Sequence, residues 1–104
     1  MDLKQLTVKT VEVNKSFKNW KKWDLKTRFV DLIEEVGELA NAILTDSKAK
    51  GNKPGWQKEG FADSLCDIFY DLLLLAEQKG IDLEKEYLAM LEQLKKRISQ
   101  GEFD

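Results

Sequence analysis

The sequence predicts an all-α fold: a four-helix bundle with antiparallel neighbours, forming one domain over residues 1–104. Three observations carry this expectation. Apolar residues recur at three- and four-residue intervals through four stretches, the period of a helix face. Punctuation is sparse, with one Pro and six Gly among 104 residues, too little for the many turns of a sheet-rich fold. The breaks are mostly short, and short connections favour antiparallel neighbours.

The first helix is expected from about Leu3 to Asn19, with Leu3, Leu6, Thr10, Val13, Phe17 and Trp20 on one side; β-branched Val8 and Val11 weaken its local propensity. The second starts near Asp24 or Thr27, both suitable N-caps, and continues to about Leu44. Its apolar stripe of Phe29, Ile33, Val36, Ala40 and Ile43, widened by Leu32 and Leu39, is expected to face the core. Residues 46–56 (DSKAKGNKPGW) hold the only Pro and read as a loop. A third helix is expected from Gln57 to Lys79, with Phe61, Leu65, Phe69 (or Ile68), Leu72 and Ala76 as its apolar face and Gly80 as its C′ residue. Asp82 caps a fourth helix whose stripe is Leu83, Tyr87, Met90 or Leu91, Leu94 and Ile98. Gly101 follows its end, and the tail Glu102–Asp104 is expected to fray. Leu72 to Leu75 make the third helix apolar nearly all round over one turn, where a surface helix would spare one side. That surplus predicts a homo-oligomer.

Composition excludes several chemistries. Hydrophobic residues at 42% and charged residues at 35% fit a soluble globular domain rather than a disordered tail. The net charge of -2 gives no basic excess to hold a phosphate backbone, so nucleic acid is not an expected partner. With no His, Ser-His-Asp triads, Cys-His dyads and His-ligated zinc are impossible. The lone Cys66 cannot close an intrachain disulfide, and beside the apolar stripe it reads as a small buried side chain. The longest apolar run, Leu72 to Ala76, is far short of the roughly 20 residues a membrane span needs. A cytoplasmic protein with no membrane partner is expected, and any catalysis falls to carboxylates with a hard metal.

The acids are arranged to supply one. Asp31, Glu35 and Glu38 share one face of the second helix, and Asn41 extends it. In the third helix Asp63, Asp67 and Asp71 repeat every fourth residue, with Ser64 beside them. No lysine lies three or four residues from Asp67 to relieve the repulsion. Carboxylates on two packed helices invite Mg²⁺, with Mn²⁺ able to substitute, because oxygen ligands suit such hard cations. The alternative is a pair of solvated acidic faces.

The stretch FVDLIEEVGELANAIL, residues 29–44, resembles the first signature of the MazG-like all-α nucleoside triphosphate pyrophosphatases, whose pattern is E-x-x-E followed by E-x-x-D. Glu35-Val36-Gly37-Glu38 matches the first half, and Glu34 doubles the acid. Gly80-Ile81-Asp82-Leu83 resembles the family's G-[IV]-D-[LI] turn, and counting back from it sets the second-half Asp on Asp67. The second-half Glu then falls on Ser64, with Asp63 immediately before it. Asp63 or Asp71 could substitute for the missing acid, or Ser64 could act through a water.

The resemblance implies Mg²⁺-dependent hydrolysis of a nucleoside triphosphate to monophosphate and pyrophosphate, clearing unwanted nucleotides. It implies Glu35, Glu38, Asp63 and Asp67 as metal ligands, and Glu34 or Glu38 as acceptor of the water's proton. Trp20 and Trp23 fall where relatives often place aromatics near the nucleobase, although a helix-junction role suits them equally. Asn41 and Asp71 complete the expected substrate contacts. Lys48, Lys50, Lys53 and Lys58 flank a segment that could fold over phosphates, and Trp56 pins it. The resemblance also implies assembly as a homodimer or homotetramer. The competing reading is a non-catalytic nucleotide- or metal-binding helical oligomer that has lost part of the second motif.

Overall fold

Asp2 starts the first helix by a local device. In the computed structural model, which describes residues 1–17, 23–46 and 58–104, its carboxylate accepts from the Gln5 N–H at 2.8 Å. Its own N–H donates to the Gln5 side chain at 2.8 Å, so two groups that a helix start leaves unpaired satisfy each other's neighbours. Helix α1 runs Leu3–Lys15, shorter than the expected Leu3–Asn19, because the Ser16 N–H turns back to the Val13 carbonyl at 3.0 Å and closes it. Trp20 lies outside the described residues, as do Lys48, Lys50, Lys53 and Trp56.

Helix α2 spans Leu25–Asp46. Of the two caps left open by the sequence Asp24 is used, its carboxylate accepting from the Thr27 N–H at 2.7 Å. Hydrogen bonds from Thr27 hold that carboxyl below its usual range. Helix α3, Lys58–Gln78, stops at Gly80, which adopts φ +66°. The Gly80 N–H donates to the Glu77 carbonyl at 3.1 Å and the Ile81 N–H to the Ala76 carbonyl at 2.9 Å, the paired closure that a left-handed residue permits. Helix α4, Leu83–Ser99, is capped by Asp82, which accepts from the Lys85 N–H at 3.1 Å. The tail expected to fray is instead held: Arg97 donates twice to Glu102, at 2.8 and 2.7 Å, and lies 4.9 Å from the Phe103 ring centre.

The main packing is between α2 and α3, with α1 against α3 and α4 against α1. Tyr70 donates to the Asn14 side chain at 2.7 Å, tying α3 to α1. Asp31 lies beside Asp71 and Glu35 beside Asp67, so four residues forward on α2 correspond to four back on α3. The two helices are therefore antiparallel, as expected.

Their orientation about their own axes is not as expected. Phe29 is 53% exposed and Ile33 54%, and Val36, Ile43, Phe61, Leu65, Phe69 and Leu72 are also exposed. The buried set among the described residues is Ala42, Leu73, Leu74 and Ala76 with the polar Arg28, Ser64 and Asp71. The physical reason is that each helix can turn only one face to the other. Here the acidic face, with small Ala42 and Ser64, forms the seam and the apolar stripes point away from it. Cys66, beside the outward stripe, is exposed rather than buried. The radius of gyration is 17.2 Å, against about 13 Å for a compact chain of this length. No described helix is long and apolar enough to cross a membrane.

Candidate metal centre

The seam between α2 and α3 collects the carboxylates. The spacing of three between Glu35 and Glu38 keeps both on the face of α2 that meets α3, and the antiparallel register brings Asp67 opposite. One carboxylate oxygen from each of Glu35, Glu38 and Asp67 lies within 4.8 Å of the others. Glu38 and Asp67 are exposed and Glu35 is half-buried, so the group opens to solvent with Glu35 at its floor. Burial, followed by the charges of Glu38, Asp67 and Asp31 and a hydrogen bond with Asp67, pushes the Glu35 carboxyl up to about 7. Its Oε2 is buried with no hydrogen-bond partner.

These residues fit a hard divalent cation. All three offer oxygen, a buried lone pair is unused, and the like charges that add to burial in raising Glu35 are what a divalent ion would relieve.

Other expected site residues fall elsewhere. Asp63 is exposed and outside this group: it lies one helical turn, about 6 Å, before Asp67. Glu34 is exposed beside the group and not part of it. Asn41, half-buried, is one turn beyond Glu38 on the same face. Ser64 is 3% exposed; the register that sets 35 against 67 sets 38 against 64, so the serine stands where a fourth carboxylate would face the group.

Asp71 is 1% exposed and turned into the protein rather than toward a substrate. It accepts from Arg28 at 3.3 Å, and burial and the Asp31 carboxyl raise its pKa against the opposing pull of Arg28. Arg28 is 5% exposed and packs its guanidinium 4.7 Å from the Trp23 ring centre. The Trp23 carbonyl accepts from Gln78 at 2.6 Å. Trp23 and Arg28 border a cleft of about 260 Å³ that Asn14 and Lys15 of α1 also line. Sequence reasoning missed Arg28. The available signal was a single cation three and seven residues before Asp31 and Glu35, hence on their face.

The model of the family described as phosphoribosyl-ATP pyrophosphohydrolase matches residues 9–97, from within α1 to near the end of α4. The chain belongs to that family. Phosphoribosyl-ATP pyrophosphohydrolases are all-α and related to the MazG-like superfamily, in agreement with the resemblance of residues 29–44. The family is one of hydrolases acting on a pyrophosphate bond, and the carboxylate group lies inside the matched region. No curated protein and no solved structure matches the chain.

Proposed function

We propose that the protein is a Mg²⁺-dependent pyrophosphohydrolase that cleaves a nucleoside triphosphate between its α- and β-phosphates. The observation that carries this reading is the convergence of Glu35, Glu38 and Asp67 within 4.8 Å in a chain of a pyrophosphohydrolase family. Glu35, Glu38 and Asp67 would hold the cation, which when bound supplies charge neutralisation at the phosphates and acidifies a water. In the reaction a water oxygen bonds to the α-phosphorus, the bridging bond from that phosphorus to the β-phosphate oxygen breaks, and pyrophosphate leaves. Glu38, exposed at the mouth of the group, takes the proton from the water; Glu34, outside the group, is less well placed. Asn41, one turn further on the same face, would donate to the substrate. Trp23, which precedes α2 and backs Arg28 at 4.7 Å, two helical turns before Glu35, would reach only the far end of a substrate. A second copy of the chain is the other partner we propose, covering the outward apolar stripes.

The test is pyrophosphate release from canonical and modified nucleoside triphosphates and from phosphoribosyl-ATP, with and without Mg²⁺, beside Glu38→Gln and Asp67→Asn. Metal-dependent release that falls at least 100-fold in both variants is expected, and the preferred nucleotide names the substrate. Release that persists in both variants overturns the site. Ser64 at the fourth position favours a second reading, a binding protein without turnover. That reading is supported if Mg²⁺-dependent nucleotide binding is measured with no pyrophosphate formed.

A further inference from the structure

The acidic seam contains one buried cation among the described residues, and the reaction proposed above gives it no part. Asp31 faces Asp71, and Glu35 faces Asp67 with Glu38 beside it, so carboxyl groups confront each other across most of the seam, and in the ionised form that cation binding requires they push α2 and α3 apart. The Arg28–Asp71 contact at 3.3 Å is, among the described residues, the one ion pair that joins the two helices. Trp23 backs the guanidinium at 4.7 Å. Arg28 precedes Glu35 by seven residues, two helical turns or about 10 Å, too far for its side chain to touch a cation held by the group. A buried ion pair is weak evidence for stability, because desolvation offsets most of its attraction. Its place here, at one end of a repulsive seam, gives it a geometric consequence instead.

We infer that Arg28 is a positioning residue for the carboxylate group: clamped between Trp23 and Asp71, it sets the α2–α3 spacing that brings Glu35, Glu38 and Asp67 together. This role presupposes the divalent-cation reading of that group. It also makes a prediction opposite in sign to a simple charge effect. Removing a positive charge makes the seam more negative, which through space would tighten cation binding. Loss of the spacing separates the ligands, which weakens it.

Mn²⁺ titration of the full chain, followed by the paramagnetic resonance of the free ion, separates these outcomes. It is run on wild type, Arg28→Met and Arg28→Met/Asp71→Asn at a temperature where circular dichroism shows each helical. Arg28→Met is expected to weaken Mn²⁺ binding about 10- to 100-fold, as loss of residues that orient metal ligands does. The double variant removes the unpaired Asp71 charge, so its melting temperature recovers while its Mn²⁺ affinity stays low. Unchanged or tighter binding in Arg28→Met overturns the role, and so does wild-type affinity in the double variant, which would trace the defect to an orphaned charge. If Arg28→Met does not fold, the double variant alone decides in the same way. A wild type that takes up no Mn²⁺ removes the cation reading and this role with it, whereas wild-type binding shared by both variants removes only the role.

Discussion

Glu35 couples the stability of the fold to pH. Its carboxyl is raised from 4.5 to about 7 in the folded protein, and Asp71 is raised as well. Between pH 4.5 and 7 the folded state therefore holds more protons than the unfolded chain, and its stability falls as pH rises through that window. A divalent cation favours the ionised carboxylate, so Mg²⁺ is expected to restore the loss at pH 7 and to do little at pH 4.5, where Glu35 is protonated. Urea unfolding across this range, with and without Mg²⁺, checks both signs, and a flat profile without metal refutes the crowding at Glu35. Ser64 gives a second prediction. Facing Glu38 from α3, Ser64→Glu adds a fourth acid to the group of Glu35, Glu38 and Asp67, so the melting temperature without metal falls while the rise on adding Mg²⁺ grows. A smaller Mg²⁺ response would remove Ser64 from the site. Glu35 and Glu38 were legible in the sequence because a spacing of three fixes a shared helical face, and Asp67 through the family resemblance of the turn at Gly80, from which the count back to it runs. Arg28 was not: a lone arginine on a helix has the pattern of a solvated charge, and only the folded seam encloses it.

The ends of the elements were the most legible part of the fold, since caps and C′ glycines act through residues within a few positions. Asp82, Gly80 and Gly101 each do what local chemistry dictates. Two glycines show how far that logic reaches. At Gly80 an added Cβ meets nothing within 4 Å, but φ is +66°, so Gly80→Ala is expected to destabilise by about 1 kcal/mol through backbone strain alone. At Gly37, inside α2, an added Cβ also meets nothing within 4 Å and the backbone is ordinary helix. Gly37→Ala should stabilise the helix by up to about 1 kcal/mol. Chemical denaturation of the two variants checks the opposite signs, and a destabilised Gly37→Ala would show that something approaches that backbone closely. The inward face of α2 and α3 was not legible. Each helix carries an apolar stripe and an acidic stripe, and periodicity measures their separation without choosing which one meets a neighbour in the same chain.

At the scale of the molecule, outward stripes and an extended shape are features that a second copy of the chain would cover. Phe29, Ile33, Val36 and Ile43 on α2, with Phe61, Leu65, Phe69 and Leu72 on α3, are each exposed by between about two-fifths and a half. Completing the burial of eight such side chains is worth on the order of 1 kcal/mol each, or roughly 16 kcal/mol when two copies bury them against each other. Association costs about 4–15 kcal/mol in lost translational and rotational freedom, so a symmetric pair in which the same face meets itself is favourable. Sedimentation at micromolar concentration is expected to give a multiple of 12.0 kDa, with a melting temperature that rises with protein concentration. Ile33→Glu or Phe69→Glu would bury a charge at that contact and should yield a monomer of lower melting temperature. Each position is already about half in water in the single chain, and a glutamate there can reach solvent, so the larger effect falls on the contact between copies. A wild type that sediments at 12.0 kDa, and whose melting temperature neither variant alters, would mean that the stripes remain uncovered.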